Sequence, residues 1–140
     1  ETFFQASSIF REISKGKINK PKKIIIKGRD FIIQNYFEGL ARFDFNNLCG
    51  VSIGAEDYIK IAELCKFMLI DSVPNFDDEN ADKQQRFITL IDILYDKKIP
   101  IMLTANFNYK NFKSSRRLID PYKRTISRLF ELTSPKFKIY

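Results

Sequence analysis

A mixed α/β fold is predicted for this chain on three observations. The first 14 residues carry helical apolar spacing, residues 22–45 are glycine-punctuated and partly alternating, and residues 66–105 run strand, helix, strand. The expected order is an N-terminal helix, a three-strand antiparallel meander, a βαβ-type C-terminal half and a terminal helix. At 140 residues the chain has the usual size of one compact domain, so residues 1–140 are read as a single domain.

TFFQASSIFREIS (2–14) places Phe3, Ala6, Phe10 and Ile13 on one helical stripe, and Gly16 is positioned to end the helix. The connector KGKINKPKK sets lysines around a proline without apolar periodicity, so it reads as a loop. A phosphate-binding stripe is one reading of those lysines. The solvated connector is favoured, because no aromatic residue is interleaved among them to stack a base.

Between Lys22 and Phe45, Gly28 and Gly39 are natural hairpin turn residues. The last strand there puts Ala41, Phe43 and Phe45 on one face and Arg42 and Asp44 on the other. GAEDYIKIAELC follows as an amphipathic helix, with Tyr58, Ile61, Ala62 and Cys65 inward and Glu56 and Asp57 in the dipole-favoured first turn. KFMLIDSVP is a buried strand stopped by Pro74. NFDDENAD is an acidic loop with candidate N-caps; it lacks the ligand spacing, glycine and closing glutamate of an EF-hand.

RFITLIDILYD (86–96) turns Phe87, Leu90, Ile91, Leu94 and Tyr95 inward, and IPIMLTA is a continuous buried strand. This succession implies a parallel strand pair. Asp120 and Pro121 open the last helix, PYKRTISRLFEL, with Tyr122, Ile126, Leu129 and Phe130 facing inward and Pro135 ending it.

The chain has no histidine, which removes Ser-His and Cys-His nucleophile pairs, and its two cysteines lack metal-ligand spacing, so no metal site is expected. No apolar run reaches the roughly 20 residues of a membrane helix. The start, Glu1-Thr2-Phe3-Phe4, carries neither an initiator Met nor a signal pattern and suggests a segment of a longer chain.

Asp92 and Asp96 lie four residues apart, an arrangement that calls for nearby cations. Arg124 and Arg128 show the same spacing, so a structural pairing across two helices is favoured over a carboxylate pair for metal or acid/base work. Asp71 and Asn106 end adjacent candidate parallel strands, the edge where α/β proteins place ligands. A G-x-x-x-x-G-K-[ST] phosphate loop does not occur: the Gly16-Lys17 pair is followed by Ile18.

Gly28-Arg29, RFDFNNLC (42–49), GAEDYIKIA (54–62), Val73-Pro74, RFITLIDILYD (86–96) and RTISRLFEL (124–132) occur in an order that resembles the C-terminal part of the ZapE-type AAA+ ATPases. These are bacterial cell-division ATPases with mitochondrial, AFG-like relatives. The resemblance implies a parent chain that uses ATP and Mg2+ through Walker A and Walker B segments upstream of Glu1, with neither ligand bound by this segment alone. It implies no catalytic residue here and makes Arg124 and Arg128 the candidates for sensing nucleotide phosphates. The expected partners are the upstream AAA+ core, further copies of the chain and a protein client, in the bacterial cytoplasm or in mitochondria. Gln85-Arg86 stands where the family has two arginines, and ANFNYKN replaces a proline-containing turn. The rival reading, motivated by the net charge of +7, is a free-standing basic nucleic-acid-binding module.

Overall fold

The structure is a computed structural model and describes residues 2–105 and 111–133. Helix α1 (Thr2–Ile13) leads into β1 (Lys22–Ile26), β2 (Arg29–Ile33), β3 (Asn35–Phe37) and β4 (Leu40–Asp44). There follow α2 (Phe45–Cys49), α3 (Ala55–Glu63), β5 (Phe67–Val73), α4 (Ala81–Asp96), β6 (Ile101–Ala105) and α5 (Ile119–Thr133).

The mixed α/β class stands, and the meander resolves into two hairpins because the chain bends at Gln34. β1 and β2 form a separate two-stranded sheet. β3 pairs antiparallel with β4, which continues into a four-stranded sheet of order β3-β4-β5-β6. Both hairpins turn on two residues with positive φ, Lys27-Gly28 at 51° and 74° and Glu38-Gly39 at 54° and 98°. Such loops require left-handed backbone at both central positions, which explains a glycine in each.

The β4-β5 and β5-β6 pairs are parallel, as the crossover through α4 demands. β4 also joins β5 in parallel through α2 and α3, so the parallel core reaches further toward the N-terminus than the strand-helix-strand pattern alone suggests.

Strand alternation sorts the sheet into two apolar faces. Ala41, Phe43, Met68, Ile70, Ile101 and Leu103 join the main core against α2 to α5. Phe67, Leu69 and Met102 turn to the opposite face, where Ala6 and Phe10 of α1 cover them. With helices on both sides, β5 and β6 are buried almost throughout, hence their continuous hydrophobic sequence.

Some inward assignments differ. Phe130 is 48% exposed, and Thr125 takes the buried position its helix face offers. Ile13 lies beyond the part of α1 that meets the sheet and is 39% exposed. α2 has no counterpart among the expected elements: it is a five-residue helix, too short to show a period, capped by Asp44, whose Oδ2 accepts the Asn46 N–H at 3.1 Å. α4 begins at Ala81 within the expected acidic loop, and α5 begins at Ile119, one residue before Asp120. Pro135 lies outside the described residues.

Candidate functional site

The carboxyl edge of the parallel strands is built by three side chains on the α1 face of the sheet. Arg42 of β4 donates from Nε to Asp71 Oδ2 at 2.6 Å and from Nη2 to Asp71 Oδ1 at 3.2 Å. The Thr104 hydroxyl of β6 donates to Asp71 Oδ1 at 3.2 Å and accepts the Ser72 N–H at 2.7 Å. The two charged side chains are only 15% and 8% exposed. Strand alternation puts them there: Arg42 follows Ala41 and precedes Phe43, both in the main core, so it must face α1, where its guanidinium lies 6.0 Å from the centre of the Phe10 ring.

Ser72 adopts φ 64°, and the β5-β6 register shifts between Ile70 and Val73. This bulge directly follows Asp71, and bulges re-aim side chains at strand ends. A cleft of about 450 Å³ opens beside the pair, lined by Arg42, Asp44, Asp71, Gln34, Asn35 and Asn47 among others.

Asp71 therefore sits at the ligand edge the strand order suggests, but a bidentate arginine occupies it. Asn106 lies outside the described residues. The Arg42 partnership has a sequence signal that strand-end reasoning passed over: an aspartate closing a continuously apolar, buried strand requires a partner.

The second constellation lies between α4 and α5. Arg128 Nη1 donates to Asp92 Oδ1, and the guanidinium also lies 4.8 Å from the centre of the Tyr95 ring. Tyr95 Oη donates to Glu131 Oε1 at 3.0 Å, which raises the phenol's pKa through that hydrogen bond first and the carboxylate charge second. Pairs 92 with 128 and 95 with 131 ascend together, so the helices run parallel with an offset of 36. The double pairing expected from matched spacings accordingly forms once. Asp96 and Arg124 are exposed and make no ion pair among the described residues.

A third network fixes the residues that lead into α5. Gln84, fully buried on α4, accepts from Ser115 N–H at 3.2 Å and Ser115 Oγ at 2.6 Å, and donates to Ser114 Oγ at 2.7 Å. Asp78 accepts from the Arg116 N–H at 2.9 Å and from Arg116 Nε at 2.8 Å. These bonds hold the Asp78 carboxyl below its ordinary pKa, the backbone N–H contributing most. The acidic loop is thus a clamp for residues 113–116. Arg86 Nη1 donates to the Cys49 carbonyl at 3.0 Å, tying α4 to the end of α2.

A magnesium nucleotide needs an available carboxylate and a cradle of backbone N–H groups. Both Asp71 oxygens already accept from Arg42, and among the described residues no group of three His, Cys, Asp or Glu could hold a metal ion. These side chains do not fit ATP with Mg2+. Burial pushes the Cys49 and Cys65 thiols up to about 12, which leaves neither as a nucleophile. Among the described residues no helix is long and apolar enough to cross a membrane.

The fold and site define an α/β domain with a parallel core whose strand edge is closed by an ion pair, and whose arginines on α5 divide into one held and one exposed. The chain belongs to the AFG1-like ATPase family, whose model matches residues 1–139. It is 28% identical over 102 residues to lactation elevated protein 1 homolog B of Danio rerio, covering 71% of this chain and 20% of that protein. It is 23% identical over 137 residues to the cell division protein ZapE of Escherichia coli K12, covering 98% of this chain and 36% of that one. An uncharacterized protein of Schizosaccharomyces pombe is 31% identical over 83 residues, 59% of this chain and 18% of its own length. The chain thus spans well under half the length of these relatives. No solved structure matches it.

Proposed function

We propose that this chain is the bracing and phosphate-sensing unit of an ATP-driven AAA+ machine, in which Walker A and Walker B segments upstream of Glu1 in the parent protein grip ATP and Mg2+. Family membership over nearly the whole chain supports this reading. The observation that carries it is the division of labour on α5. Arg128 is spent on Asp92 and the Tyr95 ring, whereas Arg124, one turn earlier, is exposed and has no ion-pair partner among the described residues.

A fixed helix presenting an unpaired guanidinium suits bidentate recognition of a phosphate from the same or a neighbouring subunit. The partners in this reading are the upstream ATPase core, further copies of the same chain and a protein client of cell division or quality control. The setting is the bacterial cytoplasm, or mitochondria for a eukaryotic parent.

The test is ATP turnover by the parent protein with Arg124→Ala and Arg128→Ala. Arg124→Ala is expected to lower the rate by at least about tenfold, a modest loss on the scale of arginines that contact transferring phosphates. Arg128→Ala is expected to lower thermal stability while sparing turnover per folded molecule. An Arg124→Ala enzyme with the unaltered rate removes the sensing role.

A further inference from the structure

We propose that a cleft at the C-terminal end of α1 binds a compact phosphorylated ligand, a diphosphate or phosphate monoester, separately from the α5 arginines. The cleft measures about 440 Å³ and is assembled from the end of α1 with the turn after it, from β3 and from β4. Arg11, Lys15, Lys17 and Arg42 line it, and no carboxylate does. Its apolar floor is Phe10 and Phe37, in edge contact at 5.6 Å.

The wall of this cleft holds cations without a carboxylate, whereas two other clefts include Asp30, or Asp44 and Asp71, on theirs. Six of the described cations reach a carboxylate, Arg42 on this cleft's own wall and Lys23, Arg86, Lys97, Arg116 and Arg128 outside it, while most other described lysines and arginines reach none. Among the described residues Arg11, Lys15 and Lys17 reach none, although Lys17 is half-buried. Arg11 and Lys15 are four residues apart, a spacing at which like charges repel. Positive groups gathered over an apolar floor focus the field on whatever enters, and a phosphate answers the repulsion.

A helix C-terminus ordinarily disfavours an anion. Here carbonyls at the end of the helix and in the turn after it accept hydrogen bonds from that turn. Phe10 O accepts from Ser14 N–H at 3.0 Å and Ser14 Oγ at 2.8 Å, Glu12 O from Lys15 N–H at 3.3 Å, and Ser14 O from Lys17 N–H at 3.0 Å. The serine hydroxyl of Ser7, also on the wall, adds a neutral donor.

Calorimetric titration of the full chain with inorganic pyrophosphate at low salt tests the proposal. Saturable binding is expected, weakened roughly tenfold or more by Arg11→Gln or by Lys17→Gln, each removing one charge-assisted hydrogen bond. Lys27→Gln, on the β1-β2 turn, and Lys123→Gln, on α5, both outside the cleft, are expected to leave it unchanged. Circular dichroism confirms that the variants fold. Absence of saturable binding, or equal weakening by Lys27→Gln, overturns the proposal. So does a single-stranded oligonucleotide that binds, resists displacement by pyrophosphate and depends equally on Lys27, since that behaviour marks an extended nucleic-acid face.

Discussion

Removing one member of the Arg42-Asp71 pair should destabilise the fold far more than removing both charges together. Asp71→Asn keeps the acceptor for the Thr104 hydroxyl at 3.2 Å but leaves a guanidinium that is 15% exposed facing a neutral amide. Arg42→Met strands a carboxylate that is 8% exposed with only that hydroxyl as a side-chain donor. Breaking a buried pair from one side costs about 3 kcal/mol or more, because the surviving charge is desolvated and unanswered. In a domain of this size that lowers Tm by roughly 10 °C. The double variant Arg42→Met with Asp71→Asn carries no orphaned charge, and its methionine packs on Phe10; its cost should be about 1 kcal/mol or less. Urea unfolding of the four proteins, followed by circular dichroism, gives the cycle, with a coupling energy of about 2 kcal/mol or more expected. Single variants that each cost under about 1 kcal/mol would show that water reaches the pair. A double variant as unstable as the sum of the singles would show that the two charges act independently.

Two further outcomes follow from buried polar groups. The Tyr122 hydroxyl is fully buried against Phe76 and Phe112 and has no hydrogen-bond partner among the described residues, so Tyr122→Phe should leave stability unchanged or raise it by up to about 1 kcal/mol in the same unfolding assay. A loss above that margin contradicts the orphaned state. Cys49 and Cys65, with thiols raised to about 12 by burial, should resist iodoacetamide at pH 8 and react only as fast as the chain opens; rapid labelling of the native protein contradicts their burial.

Much of the architecture is legible along the chain. The spacing of Phe87, Leu90, Ile91 and Leu94 marks the buried face of α4, and the unbroken apolar run Ile101–Ala105 marks a strand covered on both sides. Gly28 and Gly39 mark turns whose backbone requires them. Local pattern gave less guidance where two solutions satisfy it equally. The glycine punctuation puts Ile32 and Asn35 in one strand, and only the bend at Gln34 assigns them to different sheets. Phe130 continues the apolar spacing of α5, yet the helix meets its neighbours on the side of Thr125 and Leu129.

Element order, the parallel core and the family resemblance are carried by local periodicity and short motifs, because each reflects how a single helix or strand must bury its own apolar side. Which charges meet is a different matter. Arg42 and Asp71 are 29 residues apart, and Asp92 and Arg128 are 36 apart. Matching i, i+4 spacings state only that two acids and two arginines could pair; the parallel run of α4 and α5, and their offset, decide that one pair forms and Arg124 stays exposed. In the same way the lysines after α1 have no aromatic among them in the chain, and the sheet supplies Phe37 from β3 beside them. Such pairings depend on strand register and helix direction, which arise when separate elements share one core, and no window of sequence contains both partners.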